Sequence, residues 1–260
     1  MRLEVRRVAL SSGVGVAYRE VGDPSAPPVV LLHGFPTSSL LWSRDSLLFA
    51  SRMRVVATDL VGYGESDRSA GVDLSVPAQA RYLAELLDRL DVGRCAVVGH
   101  DLGGAVAQLL ALDRPGVEAM VLLDPACFDA WPIEGVRLLQ GARPEQESDA
   151  AFVEEVVRLA LDLGVANEGR LDPATIESFA SAWRDDPPSF FRAARGVDGV
   201  GLAGREEDLA RLDLPVFILW GEEDPYLPPE LGDRLNELIP MSTLALLPGC
   251  GHYLLSLIHI

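Results

Sequence analysis

Apolar runs of strand length alternate with helically spaced patterns through the first half of the chain, and the alternation returns near its end. That rhythm belongs to a mostly parallel sheet covered on both faces by helices. Residues 14–21 read as an edge strand, 28–32 as a buried strand and 54–58 as the next. Over 74–90, Leu83, Leu86, Leu87 and Leu90 recur at helical spacing, with Arg81, Glu85, Asp88 and Arg89 on the opposite face. A strand over 94–99, a helix over 102–112 and a strand over 117–123 follow.

The strand rhythm then stops. From Pro125 to Asp213 the pattern is helical, broken at Pro187-Pro188 and between Gly196 and Gly204. It resumes with a buried strand over 215–220, a helix over 229–238 and a last strand over 243–247. The expected organisation is a core made of residues 1–124 and 214–260, with 125–213 inserted as a helical cap. No internal repeat or low-complexity tract is present, so solenoid readings drop out.

Composition narrows the function. With 260 residues, 48% of them hydrophobic, the chain suits one sizeable core carrying an insertion. A formal charge of -17 argues against nucleic acid or anionic membrane as a partner and for a small uncharged ligand. The expected assembly is a monomer or weak homo-oligomer. The start, MRLEVRRVALSSG, lacks an apolar run of signal-peptide length, and no stretch approaches the roughly 18 apolar residues of a membrane helix. A cytoplasmic protein is expected. Cys95, Cys127 and Cys250 are too few and too scattered for a disulfide framework or zinc site, and Cys95 reads as a core residue beside a strand.

The chemistry centres on Gly99-His100-Asp101-Leu102-Gly103, a G-x-nucleophile-x-G elbow with aspartate where serine usually stands. Such an elbow lifts the middle side chain off a strained strand-to-helix turn. A carboxylate attacking an ester or amide would give an anhydride, a poor intermediate, whereas attack on an sp³ carbon bearing a leaving group gives an ordinary ester. Asp101 therefore points to a haloalkane or epoxide. The plainer role is a helix N-cap, which aspartate also favours.

Further motifs lie at intervals along the chain: His33-Gly34-Phe35-Pro36, Asp59-Leu60-Val61-Gly62-Tyr63-Gly64-Glu65-Ser66, Trp220-Gly221-Glu222-Glu223-Asp224 and Gly251-His252. With the elbow, they make the chain resemble an α/β-hydrolase of the aspartate-nucleophile branch, similar to haloalkane dehalogenases and epoxide hydrolases. The order nucleophile, acid, histidine is the order of that fold. The resemblance implies an α/β architecture with a mostly parallel sheet, flanking helices and an inserted cap. It also implies an enzyme that needs neither cofactor nor metal.

Each motif has its own physical role. Gly34 lets the backbone approach a ligand, so that the Phe35 and Leu102 N–H groups form an oxyanion hole for the oxygen developing on the Asp101 carboxyl during ester hydrolysis. His252, after a glycine-bearing turn, is the expected general base for water. His33 and His100 read as structural. The acid orienting His252 is expected to be Asp224, with Asp124, at the end of the strand after the elbow helix, as the alternative.

Three departures bear on the substrate. Leu102 and Phe35 stand where dehalogenases place the tryptophan and asparagine that hold halide. Leu102 also replaces the arginine with which fluoroacetate-type enzymes bind a carboxylate. The tyrosines with which epoxide hydrolases protonate the ring are missing from 125–213; only Tyr18, Tyr63, Tyr82, Tyr226 and Tyr253 exist, and Tyr226 is expected nearest the site. Trp131 and Trp183 could each donate an indole N–H to a leaving group. Together with Leu102 and Phe35, Trp131 predicts an apolar pocket.

Only 253–260 follow His252, so the closing helix of the fold is expected to be truncated. The rival function is a ligand-binding or sensing protein on the same fold with little turnover.

Overall fold

The computed structural model describes residues 3–166, 173–199 and 201–254. The closing segment 255–260, on which the expectation of a truncated helix falls, lies outside them. The sheet contains β1 (Arg6–Ala9), β2 (Gly15–Val21), β3 (Pro28–Leu32), β4 (Arg54–Thr58), β5 (Cys95–His100), β6 (Val117–Leu123), β7 (Val216–Gly221) and β8 (Ser242–Leu247). Their order is β1-β2-β4-β3-β5-β6-β7-β8. The pairs β1–β2 and β2–β4 are antiparallel and every other pair is parallel. This is the α/β-hydrolase architecture.

The run 14–21 forms β2, which is the second strand rather than the edge. The edge is β1, whose Arg6 and Arg7 disguise it: a short outer strand buries almost no side chain and carries no apolar alternation. The central strands read cleanly because β3 and β4 each bury four consecutive residues.

Three helices serve the first half: α1 (Ser43–Phe49), α2 (Val76–Arg89) and α3 (Leu102–Asp113). Leu83, Leu86 and Leu87 of α2 join Val106, Leu109 and Leu110 of α3 in the main core beneath one sheet face. The opposite face is less covered. Val98, Val121 and Leu219 are partly exposed and Phe217 is 41% exposed.

Between β6 and β7 lie α4 (Glu134–Gln140), α5 (Pro144–Glu147), α6 (Ala150–Leu163), α7 (Pro173–Arg184), α8 (Pro187–Gly196) and α9 (Glu206–Leu209). Pro187 and Pro188 start α8 instead of breaking a helix, since proline in a first turn lacks only an N–H that has no helical partner there. The final helix is α10 (Glu230–Leu238). Among the described residues, no helix is long and apolar enough to cross a membrane.

The Asp59 motif is a brace for this scaffold. Asp59 is fully buried, accepts the Ser39 and Glu65 N–H groups at 2.7 and 2.8 Å, and faces buried Arg19 at 3.5 Å. Ser66 donates to the Asp59 carbonyl at 2.6 Å and accepts the Ala17 N–H at 2.8 Å, tying the loop to β2. All three cysteines are buried and none forms a disulfide, Cys95 lying within β5 itself.

Candidate active site

Asp101 sits between β5 and α3 at φ 50° and ψ -120°, a left-handed backbone unusual for a residue with a side chain. A Cβ on Gly99 would overlap the Gly103 carbonyl, and one on Gly103 would overlap the carbonyls of Leu32 and His33. The elbow glycines thus permit a turn this sharp. The Asp101 carboxylate makes no capping bond to its own helix, which removes the plainer role. Oδ1 instead accepts the Phe35 N–H at 2.9 Å, and Oδ2 faces Nε2 of His252 at 3.6 Å. The side chain is 19% exposed, enough to be reached by a ligand.

His252 lies on the turn after β8 and is nearly closed off from solvent. Its Nδ1 meets Oδ2 of Asp224 at 2.8 Å. Asp224 is held in turn by the N–H groups of Tyr226 and Leu227, both onto Oδ1, at 2.8 and 3.1 Å. Burial alone would lower the His252 pKa, but the Asp224 charge, the hydrogen bond to Asp224 and the close Asp101 carboxylate together raise it well above the usual histidine value. Burial likewise opposes ionisation of Asp101, yet the close contact with His252 and the charge of that ring hold its carboxyl below the usual value. The three side chains form an aspartate, histidine, aspartate array.

Asp124, the alternative acid, is not hydrogen-bonded to His252. Its Oδ1 accepts the Gly221 N–H at 2.8 Å. Burial, reinforced by the Asp224 charge and opposed by that of His252, holds its carboxyl well above the ordinary range. It is therefore a neutral acid behind the array, the geometry having placed Asp224 against the imidazole. Atoms of His100, Asp124 and His252 lie within 4.8 Å of one another, a donor set a metal can use. The two nitrogens of His252 already face Asp224 and Asp101, however, and His100 directs Nε2 to the His252 carbonyl at 3.0 Å. The cluster is an internal acid–base network.

His33 is structural: Nε2 accepts the Leu60 N–H at 3.0 Å and Nδ1 donates to the Gly34 carbonyl at 3.0 Å. Leu102, expected with Phe35 around the carboxyl, is buried at the start of α3, with its backbone N–H at the Asp101 carboxylate. Above Asp101 opens a cavity of about 390 Å³ whose walls are almost wholly apolar, lined by Phe35, Trp131, Phe190, Tyr226, His252 and residues of α4 and α6. Tyr226 presents its ring and turns its hydroxyl to the Ala160 carbonyl at 2.6 Å. Trp183 is not on the cavity wall. Its indole donates to the Pro36 carbonyl at 2.7 Å and packs against Phe35, Tyr63 and Phe190, so a tryptophan expected in the pocket supports the Phe35 loop instead. The cavity's outer wall on α4 and α6 was not visible in the sequence, where its leucines look like ordinary helix positions.

The chain belongs to the alpha/beta hydrolase fold family, whose model matches residues 27–257. Among solved structures, it is similar to an alpha/beta hydrolase fold protein from Burkholderia ambifaria, with a TM-score of 0.88, 27% identity and coverage of 98% of this chain and 95% of the other. Among curated proteins, it is 28% identical to a 2-hydroxy-6-oxo-2,4-heptadienoate hydrolase of Pseudomonas putida, covering 96% of this chain and 90% of that one. It is 26% identical to haloalkane dehalogenase 2 of Mycobacterium tuberculosis, covering 90% and 84%.

Proposed function

We propose that this hydrolase cleaves an apolar alkyl electrophile, a haloalkane or an epoxide, through a covalent ester on Asp101. One observation carries the reading: Oδ1 of the Asp101 carboxylate is bound by the Phe35 N–H, Oδ2 faces His252, and the side chain lies on the cavity wall. Oδ2 attacks the carbon and the bond to the leaving group breaks with its electron pair: a halide departs as the anion, whereas an epoxide oxygen stays on the substrate and takes a proton from water. Alkylation removes the Asp101 charge, and with it two of the influences that keep His252 protonated. The ring then releases its proton and can serve as a base.

Water adds to the Asp101 carboxyl carbon while His252 takes its proton, and the negative charge forms on Oδ1, where the Phe35 and Leu102 N–H groups face it. Collapse breaks the bond from that carbon to Oδ2. The alcohol leaves carrying the proton from His252, and the water oxygen stays in the regenerated carboxyl group. Every component is supplied by side chains and water, so the scheme calls on no metal or cofactor. Similarity to a protein named haloalkane dehalogenase supports this chemistry, and the apolar cavity supports an uncharged substrate.

Intact-protein mass of His252→Ala after exposure to bromoalkanes, styrene-type epoxides and haloacetates tests it, because losing the base traps the ester. The expected result is an adduct on Asp101 from a bromoalkane or epoxide. No adduct in the folded variant would favour a ligand-binding protein with little turnover.

A further inference from the structure

Helix α6 has two apolar faces. Val153, Val157 and Leu161 are buried in the main core, whereas Phe152, Val156, Leu159 and Leu163 run at helical spacing along the cavity. Eleven residues separate Phe152 from Leu163, a rise of about 16 Å at ~1.5 Å per residue, so this wall is long. It does not end inside the molecule. Leu159 and Leu163 are 56% and 55% exposed, and Leu138 of α4, which lines the same cavity, is 71% exposed. The apolar surface is thus continuous from Asp101 to solvent, with leucines at its outer end.

Size points the same way. An apolar cavity of roughly 150 Å³ is enough to hold a benzene molecule. The cavity here, at about 390 Å³, is more than twice that, and a two-carbon substrate would leave most of it unfilled. Asp101 and His252 are the ionisable groups at its inner end, apart from the Tyr226 and Tyr253 rings, and among the described residues no lysine or arginine lines it to receive an anionic chain end.

We infer that the substrate is a long-chain alkyl electrophile, its reactive carbon at Asp101 and its unbranched tail running along α6 to leave between Leu138, Leu159 and Leu163. The tail covers the exposed leucines, which makes them part of the binding site. This rests on the reading of Asp101 as nucleophile, but the tail site can be measured without any reaction.

Titration calorimetry with a series of n-alkanols from n-butanol to n-dodecanol reads the tail site alone. Burial of one methylene contributes about 0.8 kcal/mol, so the expected Kd falls about fourfold per added methylene and is still falling between n-octanol and n-dodecanol. A Leu138→Ser, Leu159→Ser, Leu163→Ser variant is expected to lose most of the octanol-to-dodecanol gain. These side chains are exposed, so folding is retained, checked by an unchanged melting temperature. A plateau at n-hexanol, or a dodecanol gain untouched in the triple variant, overturns the inference. Sedimentation with phosphatidylcholine vesicles and no alkanol binding would overturn it in favour of a lipid-surface patch. Failure of the Asp101 adduct alongside a normal alkanol series would sink the nucleophile and leave the tail site standing.

Discussion

Nε2 of His100 donates to the backbone carbonyl of His252 across 3.0 Å, so the residue preceding the elbow aspartate anchors the turn that carries the histidine. The two rings lie 4.8 Å apart. Burial and the charge of His252 push the His100 pKa down to about 4, which keeps the ring neutral with Nδ1 unprotonated. Replacing His100 by alanine leaves that buried carbonyl without its donor, at a cost of about 1–3 kcal/mol, and loosens His252. A misplacement near 1 Å can cost about a hundredfold. We expect His100→Ala to slow hydrolysis of the Asp101 ester by tenfold to a hundredfold and His100→Gln, which keeps a donor, to restore part of it. Equal single-turnover rates in wild type and His100→Ala would remove the anchoring role.

The two aspartates behind His252 differ in their contact with the ring, Asp224 meeting Nδ1 and Asp124 accepting the Gly221 N–H, and asparagine distinguishes them. Asp224→Asn removes the charge that orients the imidazole and is expected to lower ester hydrolysis by about 10³–10⁴-fold, by analogy with other histidine–aspartate pairs. Asp124→Asn replaces a neutral acid with a neutral amide of the same shape and is expected to cost less than about tenfold. Comparable losses in both variants, measured as decay of the adduct mass, would mean that the two acids act as one unit.

Acid and alkali should act on separate steps. Formation of the adduct needs ionised Asp101, whose pKa is depressed, so its rate is expected to stay flat from neutrality down through the ordinary carboxylate range. Decay of the adduct needs neutral His252. It is expected to slow as pH falls through the His252 pKa of the ester, which lies below that of the resting site because esterified Asp101 no longer raises it. Stability carries its own sign. Asp124 has a folded pKa above its unfolded value, so its contribution is complete below the unfolded value and is lost as pH rises towards the folded one. One such proton corresponds to about 1.4 kcal/mol per pH unit. Denaturant melts of Asp124→Asn should therefore show a flatter decline from acid to neutral pH than wild type, and parallel curves would contradict a neutral Asp124.

Gly34 tests the close approach of backbone to nucleophile. A Cβ there would overlap Oδ1 and Cβ of Asp101, so Gly34→Ala must shift either the loop or the carboxylate. Overpacking of this kind costs roughly 1–3 kcal/mol, and loss of alignment is expected to slow adduct formation by about a hundredfold or more. A folded Gly34→Ala variant that forms adduct at the wild-type rate would show that Oδ1 needs no such confinement.

Where the fold was legible, the signal was strand burial. Residues 28–32 and 54–58 carry unbroken apolar stretches at 29–32 and 55–57 because both strands lie in the interior of the sheet, and both were placed to the residue. The elbow was equally plain, since the glycines at 99, 103 and 104 answer to backbone contacts that admit no side chain. Strand β1 escaped because its exposed arginines carry no periodicity. Asp224 was the expected acid and Asp124 the alternative, since both follow parallel strands and only the side-chain geometry shows which meets Nδ1. Trp183 escaped for the same reason: whether an indole faces a cavity or a loop carbonyl depends on packing between distant segments.

Trp131 gives the last prediction. It lines the cavity, and its indole N–H has no hydrogen-bond partner among the described residues, whereas the indole of Trp183 is engaged by the Pro36 carbonyl. A buried donor without a partner in the wall of this cavity suits a departing halide or alkoxide. Trp131→Phe keeps an aromatic wall and deletes the N–H. Loss of one such donor typically costs about 10²–10³ in rate, so adduct formation from alkyl halides is expected to slow by that order, most for chloride and least for iodide, the better leaving group. Adduct decay should be unchanged, since the leaving group has already gone. Trp183→Phe is expected instead to lower stability by about 1 kcal/mol, without dependence on the halide. Equal slowing of Trp131→Phe on chloride, bromide and iodide substrates would assign this indole to shaping the cavity alone.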